Sequence, residues 1–315
     1  MSTTAAISEL CKKTLRFGPL IALGNVILTQ GRNTFPPTVI KRLSDARNQA
    51  IQRRLSPLVD KALANYRPYV SVAKNEETIW VCWLQGEEKM PPIPAMCLES
   101  IRKNSNGRTV QVVTLDNYTD FVQIDPRITE LYRKGKIKNC HFADILRVNL
   151  LAQRGGLWMD ATLYCASPIN ELFFSKPFHT IHIAPYGNFV SQCRWAVYCL
   201  SCKPGNKLFS VLEILFADYL SSESLFIDYF LFDQFIDLLY QKDAEIRQMI
   251  DDVPMNNPRI FALADILTDS FEPTNWERYI ADTELFKLNW KKYGKDALSA
   301  APAGSFYSYL KSKAR

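Results

Sequence analysis

Apolar and polar positions divide the chain into two parts that differ in their periodicity. Up to residue 75, apolar residues recur at helical spacing among basic ones, most clearly across 39–63, and strand signals are weak. From Thr78 onwards, short apolar runs typical of buried strands alternate with amphipathic stretches typical of helices. We therefore divide the chain into a helical N-terminal extension, residues 1–75, and an α/β domain, residues 76–315.

The α/β part contains an alternating series of predicted strands and helices. Strands are predicted at 78–84, 109–115, 157–159, 162–165, 178–183 and 195–200. Helices are predicted at 93–103, 128–134, 208–220 and 227–240, together with one that begins near residue 141. Such alternation predicts a mixed sheet that is flanked by helices.

The stretch 141–165 is the best-defined unit of the sequence. Asp144 and Arg147 are three residues apart, so they share one face of the predicted helix. The glycine pair 155–156 ends that helix, and a short apolar run follows it that suits a central strand. Asp160 comes directly after this run. Because ligands bind at the carboxyl ends of strands in open α/β sheets, we expect these three charged groups to surround one pocket.

The net charge of +6 is unevenly distributed. Twelve basic residues against three acidic ones give +9 up to residue 75, which leaves −3 for the remainder. One interpretation is an amphipathic platform on an anionic bilayer surface, and the other is a helical appendage that packs on the body with a solvated basic face. Binding to nucleic acid is the weaker interpretation, because no recognised binding motif accompanies the charge.

Cysteine usage and hydropathy predict a protein that is not secreted. The eight cysteines are scattered without the spacing of a disulfide framework, which suits a reducing compartment. No apolar run reaches the roughly 18 residues of a membrane span. The expected location is the cytoplasm, with the extension able to hold the protein at the cytoplasmic membrane face.

Two common nucleotide-binding signatures are missing from the sequence. There is no G-x-G-x-x-G after the first predicted strand and no G-x-x-x-x-G-K-[ST]. A nucleotide site in this chain would therefore be built from side chains rather than from a glycine cradle. No organic cofactor is expected.

The combined spacing D-x-x-R…G-G-x-x-x-D, within 142–162, resembles the capsular polysaccharide synthesis glycosyltransferases. This family is related to transferases with a "DXD" sugar-binding motif, including the yeast-type mannosyltransferases and the clostridial glucosylating toxins. The similarity covers roughly 78–292. It implies a GT-A fold, a nucleotide-sugar donor (a UDP- or GDP-sugar above all) and transfer that retains the anomeric configuration. The implied acceptor is a glycan or a lipid-linked sugar in the synthesis of a surface polysaccharide.

The resemblance also implies roles for individual residues around the transferred sugar. Asp160 would bind the ribose and sugar of the donor and assist a divalent cation. Asp144 and Arg147 would hydrogen-bond the sugar. Asp228 is the candidate for a second catalytic acid, near the acceptor.

The remainder of the donor is assigned by the same resemblance to aromatic and basic side chains. Trp83, at the end of the first strand, would stack on the nucleobase. Lys287, Asn289 and Trp290 would close over the diphosphate. These roles agree with the chemistry of the donor. Positive charge stabilises a diphosphate leaving group, and an aromatic ring binds a base by stacking, without matched hydrogen bonds.

The sequence departs from the wider pattern at Thr162, which replaces the second Asp of the DXD motif. A hydroxyl is a poorer ligand than a carboxylate for Mn²⁺ or Mg²⁺. The candidate metal ligands are Asp160 and Thr162, and dependence on a divalent cation is in doubt. Another acid or a cationic side chain can take over part of this work.

Each assignment has a purely structural alternative. Asp144 and Arg147 alone would be an ordinary ion pair on a helix, Trp83 could belong to the core, and Asp228 could be a solvated residue or a helix cap. The pair Cys199 and Cys202 invites a zinc interpretation that strand alternation opposes. At the level of function, the alternative is a catalytically degenerate transferase fold that serves as a scaffold or binding protein.

Overall fold

The computed structural model describes residues 3–30, 34–68, 77–293, 298 and 301–314. Three helices come first: α1 (Thr3–Phe17), α2 (Pro19–Gln30) and α3 (Pro37–Asn65). They agree with the helical pattern predicted there, while the predicted domain boundary at 75 lies outside the described residues. None of the helices in the described ranges combines the length and the apolar character that crossing a bilayer requires.

The remaining elements alternate between strands and helices, as the sequence predicts. They are β1 (Ile79–Cys82), α4 (Pro92–Lys103), β2 (Val110–Val113), α5 (Pro126–Arg133), α6 (Asn139–Arg154), β3 (Gly156–Met159), β4 (Leu163–Cys165), α7 (Leu172–Ser175), β5 (Phe178–Thr180), β6 (Cys199–Cys202), α8 (Lys207–Ser222), α9 (Leu231–Lys242), α10 (Ala244–Asp251), α11 (Pro273–Ile280), β7 (Leu285–Lys287) and α12 (Phe306–Ala314).

A five-stranded mixed sheet, of order β2-β1-β3-β6-β5, organises the described residues. β1 runs parallel to both β2 and β3, whereas β6 runs antiparallel to β3 and β5. β3 is the central strand, with Trp158 opposite Trp80 on one side and opposite Leu200 on the other. β4 and β7 form a separate antiparallel pair in which Leu163 is opposite Lys287. The predicted class, a mixed α/β sheet flanked by helices, is confirmed.

Strand alternation sends the side chains of the sheet into two apolar layers. Trp80 and Trp158 point into the layer that contains α6, α8 and α9. Their neighbours Ile79 and Leu157 point into the opposite layer. A third apolar cluster joins α4 to β4, β7 and α12. The central strand is therefore buried on both faces, which fixes the position of the residue that follows it.

The turn from α6 into β3 requires glycine at residue 155. Gly155 has φ +66°, and an added Cβ would lie 2.6 Å from the backbone nitrogen of Pro204. Its carbonyl accepts a hydrogen bond from Nε1 of Trp80 at 2.9 Å. A left-handed conformation and this close approach both exclude a side chain. The helix thus ends where the sequence predicts, and β3 begins immediately.

The N-terminal helices pack directly on the α/β part. Ile51, Leu55 and Val59 of α3 join the apolar layer of α8 and α9. Hydrogen bonds across the same contact run from Gln52 to Asp237, at 2.7 Å, and from Lys61 to Asp218, at 2.8 Å. This matches the interpretation of a helical segment that packs on the body, and it leaves membrane binding as a prediction.

Two predicted elements are displaced in the structure, and tertiary contacts explain both. The strand predicted at 195–200 begins only at Cys199, because the backbone N–H of Ala196 donates to the Thr180 hydroxyl, at 3.1 Å, instead of to a ladder carbonyl. The helix predicted from 227 begins at Leu231, because the N–H of Ile227 donates to the hydroxyl of Tyr219, at 3.0 Å.

Candidate functional site

A cluster of charged side chains surrounds Asp160 at the carboxyl end of β3. The carboxylate of Asp160 accepts hydrogen bonds from Lys287 at 2.8 Å, from Arg147 at 3.2 Å and from Nε1 of Trp158 at 3.1 Å. Its own backbone N–H donates to the carbonyl of Tyr198 at 2.9 Å. The buried strand and these four contacts hold the carboxylate in one place.

Arg147 lies on α6 between Asp144 and Asp160. It is 5% exposed, and its guanidinium lies 3.4 Å from the Asp144 carboxylate and 4.8 Å from the ring centroid of Trp158. Nη1 is the atom in contact with Asp144, whereas the buried Nε has no hydrogen-bond acceptor among the described residues. Buried donors are normally satisfied, so this nitrogen is a candidate for a contact with a ligand. The structure thus brings Asp144, Arg147 and Asp160 into contact, and the expectation that they surround a ligand pocket stays a prediction.

Lys287, at the end of β7, completes this cluster. Its ammonium donates to Asp160 and also to the hydroxyl of Thr162, at 2.5 Å. It lies 5.1 Å from the ring centroid of Tyr198. The pairing of Leu163 with Lys287 in the β4–β7 ladder sets this position. Lys287 is far from Asp160 in the sequence, but the register of β4 and β7 brings the two side chains together.

The charges of the cluster keep Asp160 ionised. Burial alone would raise the pKa of this carboxyl, but the positive charges of Lys287 and Arg147 and the hydrogen bonds hold its pKa below the usual value. Two carboxylates, of Asp144 and Asp160, face two cations, so the cluster is balanced without a ligand. The Nε–H of Arg147, which has no acceptor among the described residues, is the donor in this cluster that remains for a polar ligand.

The oxygens of Asp160 and Thr162 do not form a donor set that fits a divalent cation. Mg²⁺ and Mn²⁺ favour several oxygen ligands with carboxylates among them. Here one carboxylate and one hydroxyl share the ammonium of Lys287, which lies between them. Within the ranges that the structure describes, no three His, Cys, Asp or Glu residues are grouped so that they could hold a metal ion.

The zinc interpretation of the two strand cysteines has no geometric support. Cys199 points into the apolar layer of Ile79 and Leu157, whereas Cys202 points into the layer of Trp80. Both thiols are buried, and burial raises their pKa values well above the usual range. They are core residues of β6.

Trp83, which is assigned to the nucleobase, lies next to Trp290, which is assigned to the diphosphate. Trp83 and Trp290 form an edge-to-face pair with ring centroids 5.7 Å apart. Nε1 of Trp83 is buried and has no hydrogen-bond partner among the described residues. Asn289 lies exposed between Lys287 and Trp290 on the segment that continues from β7. The segment therefore connects the Asp160 cluster to the two indole rings.

The structure pairs Asp228 with Arg47 and Gln234 rather than with the residues of the Asp160 cluster. It is 2% exposed, forms an ion pair with Arg47 of α3 and accepts a hydrogen bond from Gln234 at 3.0 Å. Its charge is already matched by the guanidinium. Asp228 therefore joins α3 to the segment before α9, and its catalytic role stays a prediction.

Asp233 is a partly buried acid that the sequence did not identify. Nε1 of Trp195 donates to its carboxylate at 3.0 Å. Burial and the nearby charges of Asp144 and Asp228 raise its pKa to about 7, against a lowering by Arg147. The predicted helix from 227 gave no reason to single it out. In the structure Asp233 lies in the first turn of α9, near enough to Asp144 and Asp228 to be affected by their charges.

A cavity of about 910 Å³ lies between the N-terminal helices and the α/β part. Lys287, Tyr198 and Asp233 line it on the side of the charged cluster. His141 lies in the same wall, where its ring stacks on Phe226 at 3.9 Å between centroids and its Nδ1 lies 3.8 Å from Asp144. Most of the remaining lining is apolar, and the sequence gave no sign of this cavity.

The sequence of the chain identifies the family to which it belongs. Residues 32–310 match the sequence profile of the family described as "Capsular polysaccharide synthesis protein". The chain belongs to this family. The match to the capsular polysaccharide synthesis family includes α3 as well as the α/β part. It supports a role in capsule synthesis. A search of curated proteins finds no match to the chain.

Proposed function

We propose that the protein is a GT-A glycosyltransferase that transfers a hexose from a nucleotide sugar to a glycan or lipid-linked acceptor, with retention of the anomeric configuration. One observation carries this proposal: an ionised Asp160, at the end of the central strand, is held between Arg147 and Lys287. Nε of Arg147 is buried and has no acceptor among the described residues. A buried donor without a partner calls for an explanation, and a bound donor sugar would supply one.

The donor is proposed to extend from the cluster to the indole pair. The hydroxyls of the transferred sugar bind Asp144, Arg147 and Asp160, since carboxylates accept from hydroxyls and the guanidinium donates to them. The nucleobase stacks against Trp83, beside Trp290, whose rings are 5.7 Å apart. The diphosphate lies between these two ends, near Lys287 and Asn289.

The chemical step is the replacement of one glycosidic bond by another. The bond between the anomeric carbon and the diphosphate oxygen breaks, and its electron pair stays on the nucleoside diphosphate. An acceptor hydroxyl oxygen bonds to the anomeric carbon, and its proton passes to the departing diphosphate. The preorganised positive charges of Lys287 and Arg147 stabilise the negative charge that develops on the leaving group.

Lys287 is proposed to supply the positive charge that a divalent cation supplies in DXD relatives. Its ammonium is held by Asp160 at 2.8 Å and by Thr162 at 2.5 Å, which are the two positions of the DXD motif in this chain. A single ammonium in a half-buried site is electrostatically effective, because water screens it weakly. Transfer should therefore proceed without Mn²⁺ or Mg²⁺.

The proposed setting is synthesis of a surface polysaccharide at the cytoplasmic face of a membrane. Family membership supports the pathway. The surplus of basic residues up to residue 75 supports contact with an anionic lipid surface. Assembly at this surface would bring the site to acceptors that are carried by lipid.

The test is a screen of UDP-, GDP- and CMP-sugars by thermal shift, followed by assays of transfer and donor hydrolysis. A ligand that binds only the folded state raises the melting temperature. One class of donor should do so in the wild type and in the exposed control Asp120→Asn, but not in Asp160→Asn. If no nucleotide sugar is bound or hydrolysed by the wild type, the proposal fails.

The same variants separate an enzyme from a degenerate scaffold, a possibility raised by Thr162 in place of an acid. A scaffold would give no transfer in vitro, and polymer output in cells would stay normal with Asp160→Asn. A transferase requires that both transfer and polymer output fall in Asp160→Asn and remain in Asp120→Asn.

A further inference from the structure

The 910 Å³ cavity beside the charged cluster has an assignable occupant. We propose that it binds the apolar chain of an anionic amphiphile, a lipid acceptor whose sugar or phosphate end lies at Lys287. This inference rests on the proposed transferase function, since it names the acceptor class for that same site. It gives the N-terminal helices a direct part in acceptor binding.

The shape and lining of the cavity fit a hydrocarbon chain. One wall comes from the N-terminal helices and includes Leu10, Ala22 and Ile40. The opposite wall comes from residues 181–197 and includes Ile183 and Trp195. A volume of this size is in the range that buries a ligand as large as a drug molecule or a lipid tail. A glycan chain would instead require many hydrogen-bonding groups in these walls.

The cavity adjoins the proposed reaction site at Lys287. Lys287 both lines the cavity and donates to Asp160 at 2.8 Å. Asp233 lies in the same wall. An amphiphile with its tail among the apolar walls would therefore present its head group to the anomeric carbon of the donor.

Two basic residues of the cavity lining, one on α1 and one immediately before α6, favour an anionic amphiphile. Lys13 and Lys138 both line the cavity, and both pair with the single acid Glu9, at 3.3 and 3.7 Å. One carboxylate thus serves two ammonium groups. The remaining positive charge is suited to a phosphate or diphosphate that links the sugar to its lipid.

The surfaces around the cavity indicate that the occupant arrives from a lipid phase. Aromatic rings of its lining are exposed, with Tyr186 at 47%, Phe189 at 40% and Tyr229 at 58%. On the helical side, Leu15 is 89% and Leu23 is 47% exposed. Exposed aromatic rings at the rim of an apolar cavity mark an interaction site rather than an ordinary water-facing surface. Basic helices with such residues are typical of binding at a bilayer interface.

The experiment measures displacement of 11-(dansylamino)undecanoic acid from the full-length protein by alkyl phosphates of six to twelve carbons. The affinity of the wild type should rise by about fourfold for each added methylene until the cavity is filled. Inorganic phosphate should not displace the probe. Equal displacement by all chain lengths, or displacement by inorganic phosphate, would overturn the proposal.

Cavity-filling variants locate the binding site. Ala22→Phe and Ile183→Trp add volume to opposite walls, and each should weaken the binding of dodecyl phosphate by at least about tenfold, because tail and new side chain compete for the same space. The matched control Ala46→Phe adds the same side chain to an exposed position of α3 and should leave the affinity unchanged. Unchanged affinity in both filled variants, with normal melting curves, would place the chain elsewhere.

Donor binding separates this inference from the proposed function. In Ala22→Phe and Ile183→Trp, the thermal shift caused by the nucleotide sugar should persist, and KM for a lipid acceptor should rise while KM for the donor does not. Persisting donor binding without any binding of alkyl phosphates would refute the cavity assignment alone. Binding of alkyl phosphates without binding of any nucleotide sugar would refute the transferase.

Discussion

Arg47 of α3 and Asp228, in the segment before α9, form a buried ion pair with exposures of 7% and 2%. The guanidinium also donates to Asn48 at 2.8 Å, and the carboxylate accepts from Gln234 at 3.0 Å. The pair closes one wall of the cavity and attaches the N-terminal helices to the α/β part. Both partners depend on each other, because each would otherwise be a buried unpaired charge.

The first prediction concerns the stability of this attachment. Arg47→Ala should lower the free energy of unfolding by about 3–5 kcal/mol, because it leaves Asp228 buried without a counter-charge. Urea denaturation followed by circular dichroism measures this change. Arg42→Ala, at an exposed position of the same helix, should change it by less than about 0.5 kcal/mol. The double variant Arg47→Met/Asp228→Leu should be less destabilised than Arg47→Ala, and the reverse order would contradict this account.

The second prediction concerns the pH dependence of stability that arises from Asp233. Its pKa in the folded protein is about 7, above the value of about 3.9 for an unfolded chain. The folded state therefore holds the proton between these values, and this group makes the protein less stable as the pH rises, by about 1.4 kcal/mol per unit. Asp233→Asn removes the effect while the amide oxygen can still accept from Trp195.

The measurement is urea denaturation of wild type and Asp233→Asn at pH 5 and at pH 8. Between pH 5 and pH 8, the free energy of unfolding of the variant should rise relative to that of wild type. The slope is about 1.4 kcal/mol for each unit of pH, which gives a few kcal/mol in total. Asp120→Asn, at an exposed position, should show no such difference between the two pH values. An equal effect of Asp233→Asn at both pH values would show that its carboxyl titrates normally.

The third prediction tests whether Lys287 replaces a metal ion. Lys287→Met should lower kcat by about 10²–10³, the usual effect of removing one group that stabilises a developing negative charge. Added Mn²⁺ should not restore this loss, because one carboxylate and one hydroxyl are too few oxygen ligands for a divalent cation. Wild-type activity should be unchanged by a chelator. Loss of wild-type activity in the chelator, recovered with Mn²⁺, would assign the charge to a metal instead.

The fourth prediction concerns the nucleobase. Trp83→Ala should weaken the binding of the nucleoside diphosphate by about 1–3 kcal/mol, the contribution of one base stacked on an aromatic ring. Isothermal titration with UDP and GDP measures it, and Trp83→Phe should retain most of the affinity. The control is Trp276→Phe, in the apolar cluster of α4 and β7, which should leave this affinity unchanged. If Trp83→Ala binds as tightly as wild type, the base lies elsewhere.

The sequence predicted the unit from α6 to Asp160 well because its signals are local. The spacing of Asp144 and Arg147 follows from helical geometry, and Gly155 marks the turn into the strand. The place of Asp160 at the end of a buried strand follows directly from that order. The general class of the fold followed from the alternation of elements in the same way.

The rest of the site depends on contacts between residues that are distant in sequence. The residues next to Asp228 in the sequence do not indicate that Arg47 neutralises its charge. Those next to Asp233 do not indicate that Trp195 donates to its carboxylate or that burial raises its pKa. The cavity lies between the N-terminal helices, which precede the sheet in the sequence, and residues 181–197, which follow the central strand β3. Hydrophobic periodicity reports which face of an element is buried but not which element covers it.

The hydrogen bond from Lys287 to Asp160 has a consequence for synthesis on the ribosome. The two residues are 127 positions apart, and β7 must pair with β4 before the contact forms. At about 5–20 residues per second, translation separates their appearance by about 6–25 s. During this interval the nascent chain carries the Asp160 carboxylate without its ammonium partner. A newly made protein would therefore gain its complete charged cluster only late, after the C-terminal stretch has left the exit tunnel.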